Sequence, residues 1–154
     1  MINIEVKHFE LSMLDECVDL FMNTFSKEPW YDKYDSRNQV VDFFINYTKN
    51  NYFLGYVALK DEKIVGLSIG SIKPWLNGME YYIDQFCIDY DLQHCGLGTT
   101  FMNYIEKDLK AQNLNAIFLL TEEIQRTIRL LNNMGIDIIL AIILANILLF
   151  RRSQ

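Results

Sequence analysis

The apolar positions in the first third of the chain predict one strand followed by two helices. Residues 1–6 have the composition of a first strand. A helix is expected from Ser12, as its N-cap, to about Phe25, and Pro29 excludes its continuation. Its apolar stripe has helical spacing: Leu14, Cys17, Val18, Phe21 and Phe25. A second helix is expected near Ser36, with these residues on one side: Val40, Val41, Phe44, Ile45 and Tyr47.

The remainder to about residue 121 reads as three strands, a helix and a further strand. Two β-prone runs, 52–59 and 64–72, are joined by four charged residues and predict an antiparallel hairpin. Pro74 and Asn77-Gly78 predict a loop. A strand at 81–88, a helix at 98–110 and a buried strand at 116–121 follow. The order predicts an α+β fold with a mixed central sheet flanked by helices, in a single domain of residues 1–154.

Composition narrows the function classes. Hydrophobic residues make up 51% of the chain, which predicts a packed core, and the net charge of −6 argues against a nucleic-acid partner. The acidic balance suits a cationic small molecule, although it equally serves solubility. Three cysteines without metal-ligand spacing and only two histidines, His8 and His94, predict no metal site. Since the sequence does not open on a signal peptide, we expect a reducing, cytoplasmic compartment.

The segment at residues 93–98 reads Gln-His-Cys-Gly-Leu-Gly and lies between a predicted strand and a predicted helix. Gly96 and Gly98 carry no side chains, so backbone N–H groups can converge on an anion there. The first turn of the next helix adds free N–H groups and the positive end of its dipole. The pattern is too short for a Walker loop and lacks the third glycine of a dinucleotide fingerprint. A strand-to-helix turn without a ligand is the alternative.

In this setting, residues 89–99 resemble the acetyl-CoA signature of the GNAT N-acetyltransferase superfamily, Arg/Gln-x-x-Gly-x-Gly/Ala, and the elements agree in order to about residue 121. The resemblance implies the GNAT fold, with strands 81–88 and 116–120 splayed apart around the cofactor arm, and acetyl-CoA as cosubstrate. It implies that pyrophosphate is held by the backbone amides of Gln93, His94, Cys95, Gly96, Leu97, Gly98 and Thr99. The pantetheine arm would pair with the backbone of Phe86, Cys87 and Ile88.

Amine acetylation needs a neutral amine, a polarised thioester carbonyl and a proton for the leaving thiolate. A backbone N–H at Cys87 or Ile88 is the candidate for polarising the carbonyl. Asp84 is the candidate base and is expected to share a strand face with Tyr82, while Gln85 faces the other way. A register one residue later would put Gln85 in the place of the base. Alternatively, Asp84 binds the amine without moving protons.

The stretch Glu28-Pro29-Trp30-Tyr31-Asp32 follows the first helix and resembles GNAT members similar to aminoglycoside 6′-N-acetyltransferases. The resemblance implies that Glu28, Trp30 and Asp32 line a cleft for a small cationic acceptor with a primary amine. Alternatively, the proline ends the helix and the tryptophan is simply half-buried.

Residues 124–136 resemble the family's closing helix, in which a tyrosine protonates the thiolate, but Leu131 stands at the tyrosine position and Ile136 at the final aromatic one. Leucine cannot donate a proton, so another group serves or activity is impaired. The alternative function is therefore a catalytically weak acetyl-CoA-binding sensor or a dimeric regulator.

Residues 136–150 are almost wholly apolar and are followed by two arginines. The run is shorter than the roughly 20 residues of a membrane span, so no membrane partner is expected. A buried final hairpin is the favoured interpretation. A homodimer surface and an altered reading frame are the alternatives.

Overall fold

The structure is a computed structural model that describes residues 2–119, in which one five-stranded sheet carries helices on both faces. The first four strands are antiparallel neighbours in chain order, and the fifth pairs in parallel with the fourth. The strands are β1 (Glu5–His8), β2 (Phe53–Lys60), β3 (Lys63–Trp75), β4 (Gly78–Ile88) and β5 (Ala116–Leu119). The helices are α1 (Leu14–Phe25), α2 (Arg37–Thr48) and α3 (Leu97–Ala111). The predicted α+β order and mixed sheet are confirmed.

Two hydrophobic cores lie on opposite faces of the sheet. One core contains the inward stripe of α3, whose members recur at every fourth position: Leu97, Phe101, Ile105 and Leu109. The other contains the inward residues of α1 and α2: Cys17, Val18, Leu20, Phe21, Val40 and Phe44. Each helix buries a stripe of helical period against the sheet, as the sequence pattern indicates. In the described part of the chain, no helix is long and apolar enough to cross a membrane.

Local sequence predicts the start of α2 and the first hairpin, but not the start of α1. The predicted start of a helix near Ser36 is confirmed, and the Ser36 hydroxyl caps α2 by accepting a hydrogen bond from the Gln39 N–H at 3.2 Å. The prediction for Ser12 was wrong: it lies in a short 3-10 turn, and α1 begins only at Leu14. Asp61 and Glu62 connect β2 to β3 and both have positive φ, 51° and 64°, as a tight hairpin turn requires.

The loop predicted around Pro74 is much shorter than expected. The β3–β4 ladder continues past Pro74, which lies opposite Met79, and ends with Trp75 opposite Gly78. Leu76 and Asn77 form the whole connection between β3 and β4. Gly78 has a φ of 134°, which side chains rarely adopt, so the turn depends on this glycine.

A β-bulge in β4 is the main irregularity of the sheet. Gln85 lies opposite Ile69 and Ile83 lies opposite Gly70, so that Asp84 is left without a partner on β3. A bulge of one residue exchanges the faces of all residues beyond it. Its consequences fall on the half of β4 that leads to the glycine loop.

The side chains of β4 show this exchange of faces. Tyr81 and Ile83 belong to the core under α3, and so does Ile88, five positions beyond Ile83. Cys87 belongs to the core under α1 and α2, and Gln85 alternates with it onto the same face. The expectation that Gln85 faces away from the Tyr82 side was therefore wrong, because the sequence pattern does not reveal the bulge.

Gly70 permits this bulge. A Cβ built on Gly70 would lie 1.8 Å from the carbonyl oxygen of Tyr82, so any side chain would force the two strands apart. We predict that Gly70→Ala lowers the free energy of unfolding by about 1–3 kcal/mol, as overpacking does. Urea denaturation measures this change in the free energy of unfolding. Gly98→Ala, in the first turn of α3, is the control, because its Cβ would meet the Ile88 side chain at an ordinary distance of 3.5 Å. An equal loss in both variants would contradict the steric explanation.

Candidate functional site

The outer edge of β4, away from β3, is open beyond the bulge. β5 pairs with β4 only from Glu80 to Ile83, and within residues 2–119 no strand pairs with this edge from Asp84 onward. The Asp89 N–H donates to the Val65 carbonyl at 2.8 Å, which makes these two residues a hydrogen-bonded pair of the β3–β4 ladder. Such pairs alternate with non-bonded pairs in an antiparallel ladder. The residues of β4 in the non-bonded pairs therefore turn their backbone N–H and C=O groups away from β3, toward the open edge.

By that alternation, the backbone of Cys87 faces β3, while Phe86 and Ile88 turn their N–H and C=O groups to the open edge. The carbonyl of Ile88 is already engaged: it accepts from the Gln93 side-chain amide at 3.2 Å and from the Thr24 hydroxyl at 3.5 Å. The edge thus offers the N–H of Ile88 and both backbone groups of Phe86. Cys87, which the sequence placed among the edge donors, is turned away from the edge.

The glycine loop begins where β4 ends. The Asp89 side chain accepts from the Asp91 N–H at 3.0 Å and starts a 3-10 turn. His94 and Gly96 then have φ of 60° and 86°, which reverses the chain into the first residue of α3. The N–H of Gln93 donates to the Tyr90 carbonyl at 3.4 Å, so Gln93 does not supply the free amide that the sequence assigned to it.

Six consecutive backbone N–H groups, from His94 to Thr99, have no acceptor within the described part of the chain. The first helical bond of α3 is donated by Thr100 to the Gly96 carbonyl at 3.0 Å. Nothing lies within 4 Å of the place a Cβ would occupy on Gly96, so the loop is sterically open there. Free N–H groups at a helix N-terminus form an anion-binding site without any cationic side chain.

The three cysteines have different environments. Cys17 and Cys87 are buried in the core under α1 and α2, where burial raises the pKa of Cys17 to about 12 and that of Cys87 further. Their thiols are therefore protonated and inert at neutral pH. Cys95 is exposed in the glycine loop, with its sulfur 2.8 Å from the Leu92 carbonyl oxygen.

Asp84 lies at the bulge with Tyr47 of α2 beside it. The Tyr47 hydroxyl and Lys73 of β3 are both close enough to Asp84 to influence the ionisation of its carboxyl group. Partial burial raises the pKa of Asp84, while Lys73 and Tyr47 act in the opposite direction. The carboxyl group keeps an exposed surface, so an incoming ligand can reach it.

Tyr82 forms an aromatic wall near Asp84. Its ring stacks on Phe118 of β5 at 4.8 Å and 18°, and its hydroxyl donates to Glu80 at 3.1 Å. The Lys73 ammonium lies 4.4 Å from the centre of the Tyr82 ring. Lys73 therefore lies near both Tyr82 and Asp84. The sequence did not indicate this cation as part of the site.

The predicted acceptor residues Glu28, Trp30 and Asp32 lie in the connection between α1 and α2. Trp30 packs edge-on against Phe25 at 5.1 Å, and Glu28 accepts a hydrogen bond from Tyr31 at 2.5 Å. Among residues 2–119, no hydrogen bond or ring contact joins Glu28 or Trp30 to Asp84 or Tyr82.

The neighbouring Lys27 ties this connection to the glycine loop instead: its ammonium lies 4.8 Å from the Tyr90 ring. The α1–α2 connection therefore borders the turn that leads into the loop.

Several predicted features lie outside the described residues: Leu131 at the tyrosine position, Ile136, the closing segment 136–154 and the homodimer surface assigned to it. Sequence reasoning also missed Lys73 and the role of Tyr47. Tyr47 appeared only as part of an apolar helix face, and nothing local shows that the bulge brings Asp84 to it. No cluster of three or more potential metal ligands occurs among residues 2–119.

Comparison with known proteins agrees with this geometry. A family model described as "Acetyltransferase (GNAT) family" matches residues 14–136. None of the curated protein sequences matches significantly.

Solved structures share the fold. A GNAT family acetyltransferase from Staphylococcus aureus superposes with a TM-score of 0.65 at 18% identity, covering 78% of this chain and 87% of that one. An aminoglycoside acetyltransferase from an uncultured soil metagenomic sample, in complex with sisomicin, gives 0.59 at 16% identity over 79% of each chain. A predicted acetyltransferase from Clostridium acetobutylicum with acetyl-CoA gives 0.57 at 14% identity, covering 88% and 90%.

The burial of two thiols gives a direct test of the site's architecture. In the folded protein we expect one of the three thiols, that of Cys95, to react rapidly with a disulfide reagent such as Ellman's, and all three to react after unfolding. Cys95→Ser should abolish the rapid phase. Rapid modification of Cys17 or Cys87 in the native protein would contradict the described packing.

Proposed function

Because the chain belongs to the GNAT acetyltransferase family, we propose that it is an acetyl-CoA-dependent N-acetyltransferase that acts on a primary amine of a small, cationic acceptor. The observation that carries this proposal is the run of six free N–H groups from His94 to Thr99, placed where the open edge of β4 ends. The two features together fit a ligand with an anionic group at one end and an amide-bearing arm at the other. Acetyl-CoA has this chemistry, and when bound it supplies an activated acetyl thioester.

The loop would hold the pyrophosphate through N–H groups and the dipole of α3. Because Gln93 has its own N–H engaged, we assign the donors to His94, Cys95, Gly96, Leu97, Gly98 and Thr99. Gln93 contributes through its side chain, which holds the Ile88 carbonyl and thereby fixes the end of β4 to the loop. Backbone donors in a preformed loop need no reorganisation when the anion arrives.

The open edge of β4 would pair with the pantetheine arm through Phe86 and Ile88, whose backbone groups face outward. The Ile88 N–H is then the best candidate for polarising the thioester carbonyl, as an oxyanion-type donor. Of the two alternatives from the sequence, Cys87 or Ile88, the alternation of the ladder favours Ile88.

Asp84 is the candidate for receiving the proton of the acceptor amine, and the neighbouring Tyr47 influences its ionisation. A raised pKa suits a general base, since the ideal value lies near the working pH. Tyr82 would provide an aromatic wall for the acceptor. Glu28 and Asp32, both exposed, would attract further ammonium groups, with Trp30 as a second wall. The aminoglycoside acetyltransferase among the structural neighbours supports this acceptor class.

The loop assignment is tested by a pair of variants of nearly equal size. Gly98→Asp places a negative charge in the first turn of α3, where it favours the helix but repels a bound anion. We expect Gly98→Asp to weaken acetyl-CoA binding at least about tenfold relative to Gly98→Asn, because like charges a few ångströms apart cost more than 1.4 kcal/mol near a protein surface. Isothermal titration calorimetry measures both affinities.

The thermal stability of the two Gly98 variants serves as the control. Gly98→Asp should melt no lower than Gly98→Asn in the absence of ligand, because an anion is favourable at a helix N-terminus. Equal affinity of the two variants for acetyl-CoA, or the absence of acetyl-CoA binding by the unmodified protein, would contradict the assignment.

The role of Asp84 is tested by Asp84→Asn with a polyamine or aminoglycoside acceptor. If Asp84 is the general base, kcat falls by about 10²–10⁴-fold and the acid limb of the pH profile disappears. In the unmodified protein this limb should lie above the ordinary pKa of an aspartate, because partial burial raises the pKa of Asp84. A higher KM with unchanged kcat would mean that Asp84 only binds the amine.

A second function is favoured by one residue, Leu131, at the position where the family resemblance places a proton-donating tyrosine. It is a catalytically weak acetyl-CoA-binding protein that acts as a sensor or regulator. Calorimetry combined with release of free thiol separates the two functions. Binding without turnover over a panel of amines supports the sensor, whereas rapid turnover excludes it.

A further inference from the structure

The hydroxyl of Tyr34 is buried and has no hydrogen-bond partner within the described part of the chain. Tyr34 lies in the connection that leads into α2, and its ring packs against the core under α1 and α2, 6.2 Å from the ring of Phe21. A buried polar group without a partner destabilises a fold, and nearly all such groups in proteins are satisfied. An orphan hydroxyl near a candidate site therefore indicates a group that arrives with the ligand.

Tyr34 and Cys87 of β4 share one core. The Tyr34 hydroxyl is close enough to Cys87 and Asp32 for both to influence its ionisation. Cys87 lies between Phe86 and Ile88, the two residues whose backbone groups face the open edge of β4. Tyr34 packs against the core that contains Cys87, so it lies on the face of the sheet covered by α1 and α2, the face that Cys87 also occupies.

We propose that the Tyr34 hydroxyl donates a hydrogen bond to the acyl-thioester group of the bound cofactor. The proposal rests on the acetyltransferase function proposed above and adds a residue to it. It gives the unpaired hydroxyl its partner and supplies a phenolic donor to a chain in which leucine occupies position 131.

The ionisation of Tyr34 agrees with a donor role. Burial, followed by Asp32 and Cys87, raises the pKa of Tyr34 to about 12. The hydroxyl therefore keeps its proton at physiological pH and is available as a neutral donor. Asp32 then contributes to the site through Tyr34 as well as through its own charge.

The test is Tyr34→Phe, which removes the hydroxyl and keeps the ring. We expect the affinity for acetyl-CoA to fall about 3- to 10-fold, the worth of one neutral hydrogen bond, while affinity for adenosine 3′,5′-bisphosphate, which has no arm or thioester, stays unchanged. Without ligand, the variant should melt at the same temperature as the unmodified protein or higher, because the hydroxyl it loses has no partner among residues 2–119.

Tyr81→Phe is the matched control. The Tyr81 hydroxyl is buried but satisfied, at 3.0 Å from the Ser68 hydroxyl and 3.1 Å from the Leu54 carbonyl, on the α3 side of the sheet. Its removal should lower the melting temperature and leave both affinities unchanged.

The outcomes separate the two proposals. If the unmodified protein binds acetyl-CoA and Tyr34→Phe binds it equally well, the role of Tyr34 is refuted and the acetyltransferase function stands. If the unmodified protein does not bind acetyl-CoA, the proposed function itself fails. A Tyr34→Phe protein that unfolds or melts lower would also refute the inference, because it would show that the hydroxyl already has a partner in the ligand-free fold.

Discussion

The pairing of β3 with β4 around Gly70 is the constraint on which the rest of the site depends. Because Gly70 has no side chain, the Tyr82 carbonyl can approach it and β4 can carry one extra residue. That residue is Asp84, which the bulge leaves unpaired and brings to Tyr47. The same extra residue decides which side chains beyond it enter which core. A regular ladder at this point would change all of these placements together.

The proposed anion site in the glycine loop would act through backbone dipoles, which suits an acidic protein. With a net charge of −6, the chain has an overall field that opposes a highly anionic cofactor. Six N–H groups and the dipole of α3 act at short range. The field of the exposed charges acts over longer distances and is screened by salt. Under the proposed function, the acidic surface would remain free to attract a cationic acceptor, and the two ligands would be selected by different interactions at different distances.

The parts of the fold that local sequence determines could be predicted, and the parts that depend on a partner strand could not. The stripes of α1 and α3, the Ser36 cap and the glycine loop follow from spacing and residue type over a few positions. The bulge at Asp84 depends on Gly70, fourteen positions away, and the alternating pattern of β4 gives no sign of it. The resemblance drew attention to the loop, but only hydrogen bonds show that Gln93 donates no free amide.

The contact of Lys73 with Tyr82 and its influence on Asp84 bear on what kind of acceptor the proposed site could use. A nitrogen that attacks a thioester must be neutral, and a nearby ammonium disfavours the protonated form of an amine. Lys73 also lowers the pKa of Asp84, which keeps the carboxylate ionised and able to accept the proton. The same charge repels any second ammonium held close to the first. An acceptor with amines spaced apart avoids this repulsion, since its other charges can lie toward Glu28 and Asp32. On these grounds an aminoglycoside or a polyamine fits the site better than a compact dication.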